Sequence, residues 1–209
     1  MSWNSQRPSY VRELARSLVK TQALKFGVFT LTSGKMSSYY IDLRLVPSYP
    51  TIFKKIVGMY KDVIMNHVKL SSFDAICGIP TSGLVFATAI ALSLGKPLIY
   101  VRKEAKPHGT QRNIEGFVKP GGRVLLVDDL ITTGTSLITS RELIAAEGCE
   151  TTDAVVLVDR EEGGVQNLEK VGVKLHSVAK VTELARELYD NNIISEGEYK
   201  AVLKQIGKT

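Results

Sequence analysis

The stretch Arg123–Glu142 reads RVLLVDDLITTGTSLITSRE and combines three consecutive patterns. It opens with the apolar run Val124–Val127, which is short and branched enough to predict a strand buried on both faces. Two carboxylates, Asp128 and Asp129, end that run, a loop rich in Thr and Gly follows, and a helical pattern begins at Leu137. This order predicts a phosphate site, because free backbone N–H groups and the helix dipole favour an anion at a helix N-terminus.

The two carboxylates before the loop extend this prediction from a phosphate to a sugar phosphate. Carboxylate oxygens accept hydrogen bonds from vicinal hydroxyl groups, so Asp128 and Asp129 suit a ribose diol beside a bound phosphate. The loop contains neither GxxxxGK[ST] nor GxGxxG, so neither a P-loop nor a dinucleotide site is predicted. A local alternative stays open, in which the Asp pair only ends a strand and Thr135 or Ser136 caps a helix.

The full string closely resembles the phosphoribosyl-diphosphate (PRPP) signature of the type I phosphoribosyltransferases, which is an apolar strand, D-D, two residues and T-x-G-T. The resemblance implies that Asp128 and Asp129 are catalytic and hold the ribose hydroxyls. It implies that the backbone and hydroxyl groups of the following loop bind the 5′-phosphate. The residues implied to bind PRPP in this string are Asp128, Asp129, Leu130, Ile131, Thr132, Thr133, Gly134, Thr135 and Ser136.

Composition narrows the range of partners. The chain has 209 residues and a formal net charge of +6, which suits an anionic ligand. Its Lys and Arg residues are scattered, whereas nucleic acid requires a basic stripe, so no nucleic-acid partner is expected. No apolar run reaches membrane-spanning length and no signal core is present, so no membrane is expected. The two cysteines, Cys77 and Cys149, are too few and too far apart for a disulfide framework, which predicts a cytoplasmic protein.

Periodicity predicts strands that alternate with helices, and therefore an α/β protein with a parallel sheet and a site at the carboxyl edge of its strands. Helices are predicted at 8–24, 51–67, 84–94 and 137–146, followed by two C-terminal helices of which the second opens with a Ser195-x-x-Glu198 capping box. Strands are predicted at 75–79, 97–101, 124–127, 154–158 and 173–178, with an N-terminal hairpin around Ser33-Gly34-Lys35.

A second resemblance lies in that hairpin, where FTLTSGKMSSYYIDLR matches the N-terminal segment F-x-L-x-SG-x-x-S-x-Y-x-x-D of orotate phosphoribosyltransferases. The resemblance implies a single type I phosphoribosyltransferase domain over residues 1–209, with a central parallel sheet flanked by helices. It also implies that about residues 1–45, with part of the C-terminal region, form a small hood over the base. Some family members carry Lys where this chain has Thr32.

Basic residues are concentrated in the segment 102–116, which lacks an apolar period and contains Gly and Pro. Composition alone predicts a solvated mobile loop there. The spacing R-K-x-x-K-x-H, however, resembles the catalytic loop of the orotate enzymes at Arg102, Lys103, Lys106 and His108. The resemblance implies that these four residues bind PRPP and that Lys103 is catalytic. It also implies a homodimer in which the loop closes over the active site of the neighbouring subunit.

Two further strand ends carry motifs. The string G-x-P-T-S-G at 78–83 resembles the family's pyrophosphate-contacting loop, and its local alternative is a plain turn between strand and helix. The string V-D-R-x-E-G-G resembles the orotate family's segment whose Arg holds the orotate carboxylate, which implies that Arg160 binds orotate. The resemblance to this family as a whole also implies that Thr132 binds orotate. Locally, Arg160 could instead pair with Glu161 or Glu162 in solvent.

These resemblances together imply orotate phosphoribosyltransferase activity, in which the phosphoribosyl group passes from PRPP to orotate and gives orotidine 5′-monophosphate and pyrophosphate in pyrimidine biosynthesis. Mg²⁺ is expected to arrive on PRPP, without a dedicated protein metal site. Two alternatives stay open. One is a phosphoribosyltransferase for another base, and the other is a non-catalytic PRPP-sensing regulator, which the retained Lys103 and the lack of an added nucleic-acid-binding module disfavour.

Overall fold

The computed structural model describes residues 3–30, 34, 36–102 and 113–208. Thr32, Lys103, Lys106 and His108 therefore lie outside the described residues, and their predicted roles stay predictions. The chain divides into two compact units, one formed by Val57–Val178 and the other by Met1–Ile56 together with Ala179–Thr209.

Strands and helices alternate through most of the chain, as predicted. The strands are β1 Leu24–Thr30, β2 Met36–Ile41, β3 Ala75–Gly78, β4 Leu98–Val101, β5 Ile114–Glu115, β6 Val124–Ile131, β7 Asp153–Asp159 and β8 Lys174–Lys180. The helices are α1 Trp3–Lys20, α2 Pro50–Val63, α3 Ser82–Leu94, α4 Thr135–Ala146, α5 Gly164–Lys170, α6 Val181–Asp190 and α7 Glu196–Gln205. In the described part of the chain, none of the helices has both the length and the apolar character that a membrane span requires.

A six-stranded sheet with the order β5-β4-β3-β6-β7-β8 forms the centre of the larger unit. The strands β4, β3, β6 and β7 run parallel, and Cys77 on β3 lies opposite Ile99 on one side and Leu126 on the other. Every residue of β3 is buried, as expected for a parallel strand covered on both faces. The predicted α/β architecture with a largely parallel sheet is confirmed. Because parallel strands share a direction, the loops after β3, β4, β6 and β7 leave from the same edge.

The second unit joins the two ends of the chain around the predicted hairpin, in which β1 and β2 pair antiparallel. Arg7 Nη2 of α1 donates a hydrogen bond to Glu183 Oε2 of α6 at 2.8 Å. The Oε1 atom of Gln205 on α7 accepts from the backbone N–H of Ser38 on β2 at 2.8 Å. The predicted Ser195–Glu198 capping box at the start of α7 is confirmed. The assignment of residues 1–45 to a hood stays a prediction.

The predicted ends of the first helix and of the mobile loop are wrong. The first helix ends at Lys20 and Leu24 belongs to β1, because Gln22 adopts a positive φ of 56° and turns the chain. The apolar residues of the hairpin had extended the helical period beyond this turn. The predicted mobile loop also ends too late, since Ile114 is buried and pairs with Val101 as part of β5. A two-residue strand is too short to show periodicity in the sequence.

Candidate active site

The two adjacent carboxylates lie inside β6, not beyond its end. Their strand continues to Ile131, with Asp128 opposite Val156 and Leu130 opposite Val158 on β7. The prediction that the carboxylates end the strand is therefore wrong, because a β ladder pairs backbone groups and tolerates a polar side chain. Asp128 Oδ1 accepts from the backbone N–H of Asp129 at 2.8 Å, and Asp129 Oδ1 accepts from that of Leu130 at 2.9 Å.

Asp128 is almost completely buried, with 9% of its surface exposed. Burial is the main cause that raises the pKa of its carboxyl group well above the usual range, and the neighbouring charge of Asp129 acts in the same direction. Below the strand, the hydroxyl of Tyr60 donates to the backbone carbonyl of Asp128 at 2.7 Å, in a buried environment. A carboxylate in this position gains from ligand hydroxyl groups or from a cationic ligand, which stabilise its ionised form.

The turn after β3 brings the start of α3 directly against Asp128. A Cβ atom on Gly83 would lie 2.8 Å from the Asp128 Cα atom and closer still to its carboxylate, so the close approach requires glycine. The helix begins at Ser82 and has no side-chain cap. The Oγ atom of Ser82 is buried and has no hydrogen-bond partner among the described residues. An orphaned hydroxyl at an uncapped helix start, beside a catalytic candidate, is consistent with a polar ligand.

The loop 132–136, which we call the phosphate loop, leads from β6 into α4. Gly134 is the N-cap residue of α4 and has a left-handed conformation with φ of 82°. The helix has no side-chain cap, and the hydroxyl oxygens of Thr133 and Thr135 lie 3.0 Å from each other. The alternative in which Thr135 or Ser136 caps the helix is therefore wrong, since Thr135 is already the first helical residue. The first backbone N–H groups of α4 are left for a ligand.

The short helix α5, which no sequence pattern predicted, supports the phosphate loop. The side-chain amide Nδ2 of Asn167 donates to the backbone carbonyl of Thr133 at 3.0 Å. A Cβ atom on Gly164 would lie 2.8 Å from the Thr132 carbonyl oxygen and 2.6 Å from the Ile131 side chain. The pair Gly163-Gly164, followed by two apolar positions, was the sequence signal for a helix start here. The helix has only seven residues, which are too few to establish a helical period.

Arg160 follows β7 at the same sheet edge and is tied to β6, because its backbone N–H donates to the carbonyl of Ile131 at 3.0 Å. Its guanidinium group pairs with Glu162, with Nε and Nη2 lying 3.0 and 2.9 Å from Glu162 Oε1. The alternative in which Arg160 pairs with Glu161 or Glu162 in solvent is right about a partner, Glu162. It is wrong about solvent, since only 8% of the Arg160 side chain is exposed. A buried guanidinium group beside the phosphate loop suits a carboxylate ligand.

Not every predicted PRPP residue can use its side chain. Ile131 is buried with 2% exposure, so a ligand contact there must come from its backbone. Arg102, at the end of β4, forms an ion pair with Glu115 of β5, and its backbone N–H donates to the Asn113 carbonyl at 2.8 Å. The structure thus brings together 128–136 and Arg160, whereas the side chain of Arg102 is paired with a neighbouring strand.

Comparison with known proteins assigns this chain to a family. Residues 48–181 match the phosphoribosyl transferase domain. An orotate phosphoribosyltransferase from Cenarchaeum symbiosum is 43% identical over 185 residues, which cover 88% of this chain and 92% of that protein. One from Sulfolobus acidocaldarius is 42% identical over 201 residues, covering 94% of this chain and 100% of that protein. The chain belongs to the orotate phosphoribosyltransferase family.

Solved structures of orotate phosphoribosyltransferases and related enzymes share this fold. The crystal structure of orotate phosphoribosyltransferase from Aeropyrum pernix is 37% identical, with a TM-score of 0.74 over 84% of this chain and 99% of that one. The structure of Leishmania donovani UMP synthase is 36% identical, with a TM-score of 0.84 over 94% of this chain and 42% of that one. The predicted type I phosphoribosyltransferase fold, enzyme class and orotate phosphoribosyltransferase function are confirmed.

Orotate phosphoribosyltransferase motifs led to the carboxylates, the phosphate loop and Arg160, but not to the residues that hold them in place. Tyr60 and Asn167 were missed, and Gly83 was recognised only as part of a motif. Each of these residues acts through a contact with a distant part of the chain. Among the described residues, no three His, Cys, Asp or Glu side chains are grouped so that they could hold a metal ion.

Proposed function

We propose that phosphoribosyl transfer from PRPP to orotate takes place at the edge of the sheet formed by the ends of β3, β6 and β7. The bond between ribose C1 and the pyrophosphate oxygen breaks, and pyrophosphate leaves with the electron pair. N1 of orotate releases its proton to solvent, and its electron pair forms the new bond to C1. Positive charge develops on the ribose ring, so the protein acts mainly through positioning and charge stabilisation.

Asp128 and Asp129 hold the ribose hydroxyls and face this developing charge. The burial of Asp128 carries the proposal, because a carboxylate with a raised pKa gains most from hydroxyl donors and from a nearby positive charge. In a site that excludes water, that charge interacts more strongly with the carboxylate than it would in solvent.

The phosphate loop binds the 5′-phosphate of PRPP through backbone N–H groups and threonine hydroxyls. The absence of a side-chain cap on α4 supports this role, since the first N–H groups of the helix are free to bind an anion. By contrast, the start of α7 is closed by Ser195 and Glu198. Leu130 and Ile131 complete the PRPP-binding string through their backbone.

Pyrophosphate leaves between two groups of donors. One is the turn before α3, where the buried hydroxyl of Ser82 and the uncapped helix start are available to its oxygens. The other is the predicted loop with Lys103, Lys106 and His108, joined by Arg102 at its base. Cations on the leaving group reduce its charge repulsion, and closure of the loop excludes water that would otherwise hydrolyse PRPP.

Arg160 and Thr132 bind orotate. The Arg160 guanidinium group already pairs with a carboxylate, that of Glu162, and this pair supports a carboxylate-binding role for Arg160. Orotate is the pyrimidine substrate that carries a carboxylate, so Arg160 favours it over uracil. This contact also distinguishes the proposal from a phosphoribosyltransferase for adenine.

Three broader features complete the proposal. Mg²⁺ arrives on PRPP and leaves with pyrophosphate, because a hard cation that keeps several waters binds well to phosphate oxygens. The enzyme acts as a homodimer in which the loop around Lys103 closes over the partner's site. The protein is located in the cytoplasm in this proposal.

The decisive experiment mixes the purified protein with PRPP, Mg²⁺ and orotate and follows the loss of orotate absorbance. Uracil and adenine replace orotate in parallel reactions, and a chelator removes Mg²⁺ in another. We expect turnover with orotate and none with uracil or adenine. The turnover with orotate should disappear when the chelator removes Mg²⁺. Turnover with adenine or uracil at a comparable rate would contradict the assignment of Arg160.

Asp128→Asn tests the role of the carboxylates, with Asp153→Asn as the matched control. Asp153 lies at the opposite end of the sheet, at the start of β7, where it pairs with His176. We expect the first variant to lose roughly 10²- to 10³-fold in kcat, as for other groups that stabilise transition-state charge. The control should keep its rate, and equal rates for both variants would refute the proposal.

A further inference from the structure

We propose that Asn167 is a positioning residue for PRPP, because its side chain fixes the peptide that presents the Gly134 N–H to the 5′-phosphate. This inference rests on the proposed role of the phosphate loop. It concerns a residue on α5 that matches none of the motifs in the sequence. Its basis is the 3.0 Å hydrogen bond from Asn167 Nδ2 to the Thr133 carbonyl oxygen.

The two neighbours of Asn167 determine which way its carboxamide faces. A backbone carbonyl can only accept a hydrogen bond, so the NH₂ group must face Thr133. On the other side, the Lys170 ammonium group can only donate, and it lies 3.3 Å from Asn167 Oδ1. Exchanging the amide oxygen and nitrogen would break both interactions, so the orientation is fixed by chemistry.

Fixing one carbonyl also fixes the next N–H, because both belong to the same planar peptide. In the trans peptide between Thr133 and Gly134, the C=O and N–H bonds point in opposite directions. With its oxygen held by Asn167, this peptide directs the Gly134 N–H away from α5. Among the described residues, no acceptor takes that N–H. It is therefore available to a ligand beside the start of α4.

Gly134 requires such support because its backbone is permissive. Its φ of 82° and ψ of 5° lie in the left-handed region, which glycine enters and leaves without a steric penalty. Its carbonyl is already fixed, since it accepts from the N–H of Ile138 at 2.9 Å. The hydrogen bond from Asn167 fixes the preceding peptide, so the residue is held on both sides.

The other contacts between α5 and the phosphate loop are van der Waals contacts. They set how closely the helix and the loop approach, but they do not set the orientation of the peptide between Thr133 and Gly134. Gly164 packs against the Thr132 carbonyl, and a Cβ atom on Gly134 would lie 3.5 Å from Leu168 Cγ. Leu168 is fully buried and anchors the helix. Removing the Asn167 side chain should therefore leave α5 in place and release only the orientation of the peptide.

The test compares Asn167→Ala with Gln166→Ala, which lies on the same short helix and is exposed. We expect the KM for PRPP to rise about 5- to 10-fold in the first variant, the usual effect of one lost hydrogen bond. The kcat at saturating PRPP and the KM for orotate should stay close to wild type. Gln166→Ala should match wild type in all three constants.

Ligand binding by calorimetry supplies a readout that does not depend on turnover. Asn167→Ala should weaken ribose 5-phosphate, which occupies the phosphate loop, and leave pyrophosphate binding unchanged. Equal weakening of both ligands would indicate a general structural role and overturn the inference. So would unchanged binding of ribose 5-phosphate.

A second variant and the wild-type protein distinguish an error in the role of Asn167 from an error in the role of the phosphate loop. Asn167→Asp keeps the shape of the side chain but turns an acceptor toward the Thr133 carbonyl, so it should weaken ribose 5-phosphate at least as much as alanine does. A variant that binds like wild type would overturn the inference. If the wild-type protein itself fails to bind ribose 5-phosphate, the proposed role of the phosphate loop is wrong, which is a distinct result.

Discussion

Asp128 combines two demands that conflict in the ligand-free protein. It must be ionised to face a developing positive charge, yet burial and the neighbouring Asp129 make ionisation unfavourable. A residue of this kind lowers the stability of the ligand-free enzyme, and the ligand stabilises the residue once it binds. Stability lost at a functional site in this way is a common property of enzymes.

Replacing Asp128 with Asn should therefore stabilise the ligand-free protein at neutral pH. The folded-state pKa of Asp128 is raised, so its favourable contribution is complete below the unfolded pKa of about 4 and is lost as pH rises through the folded value. We expect Asp128→Asn to be more stable than wild type at pH 8, and the gain to be smaller at pH 5. Urea unfolding at both pH values measures the difference, and a variant less stable than wild type at pH 8 would contradict this account.

Asp153→Asn should show the opposite sign. Burial of Asp153 acts to raise its pKa, but hydrogen bonds from His176 and Thr152 outweigh it and lower the pKa below the usual range. Its stabilising contribution is thus present above the unfolded pKa and disappears as pH falls through the folded value. The variant should be less stable than wild type at pH 8, and the deficit should shrink in acid, as measured by the same unfolding curves.

Arg160 offers a test of base recognition. Arg160→Gln should raise the KM for orotate by about 30-fold or more, since loss of a charge-assisted hydrogen bond exceeds 2 kcal/mol when the partner stays buried. The change also removes the cation that pairs with Glu162, which should lower the thermal stability. The double variant Arg160→Gln/Glu162→Gln removes this effect, and it should keep the high KM while regaining thermal stability. A normal KM in the double variant would exclude contact between Arg160 and orotate.

Glycines at the helix starts set how closely α3 and α5 approach β6. Gly83 lies against Asp128, and Gly164 lies against Ile131 and the carbonyl of Thr132. Neither contact has room for a methyl group. The site therefore depends on close backbone packing between elements as much as on the side chains that bind ligands.

Gly83→Ala should impair the enzyme because the new Cβ atom would overlap the Asp128 carboxylate and lie 2.8 Å from its Cα atom. We expect a loss of about 1–3 kcal/mol in the free energy of unfolding from overpacking. The kcat/KM should fall by roughly 100-fold through displacement of the carboxylate.

Gly58→Ala is the control, since among the described residues no atom outside the local turns of α2 lies within 4 Å of its added Cβ position. Alanine favours a helix interior, so this change should add about 0.5–1 kcal/mol of stability and keep the activity. Denaturation curves and initial rates measure both variants. Comparable losses in the two would show that the contact with Asp128 is unimportant.

Sequence patterns predicted the elements whose signals are local. The strand β3 is a continuous apolar run, Gly95 follows the last residue of α3, and a capping box opens α7, so the strand, the helix end and the helix start were each predicted. The contacts that shape the site join residues far apart in the chain. Tyr60 and Asp128 are 68 residues apart, and Asn167 and Thr133 are 34 apart. No local period encodes such pairs, and family motifs describe ligand contacts better than their supports.

In the proposed dimer, each active site is completed by residues from both chains. Asp128 and the phosphate loop lie within one compact unit of a single chain. The resemblance of the loop at 102–108 to the family's catalytic loop implies that Lys103 serves the partner's site. A single chain would then supply the ribose and phosphate contacts but not its own leaving-group cation.

Hybrid dimers test this arrangement directly. Lys103→Ala and Asp128→Asn should each be nearly inactive as homodimers. If Lys103 acts across the interface, a hybrid of the two chains contains one site with both defects and one intact site. Random reassociation of equal amounts yields hybrids as half of all dimers, so about a quarter of the wild-type rate should return. If Lys103 acts within its own chain, every site in the hybrid has one defect and the rate stays low. Initial rates after co-refolding, with size-exclusion chromatography and light scattering to establish the dimer, distinguish the two arrangements.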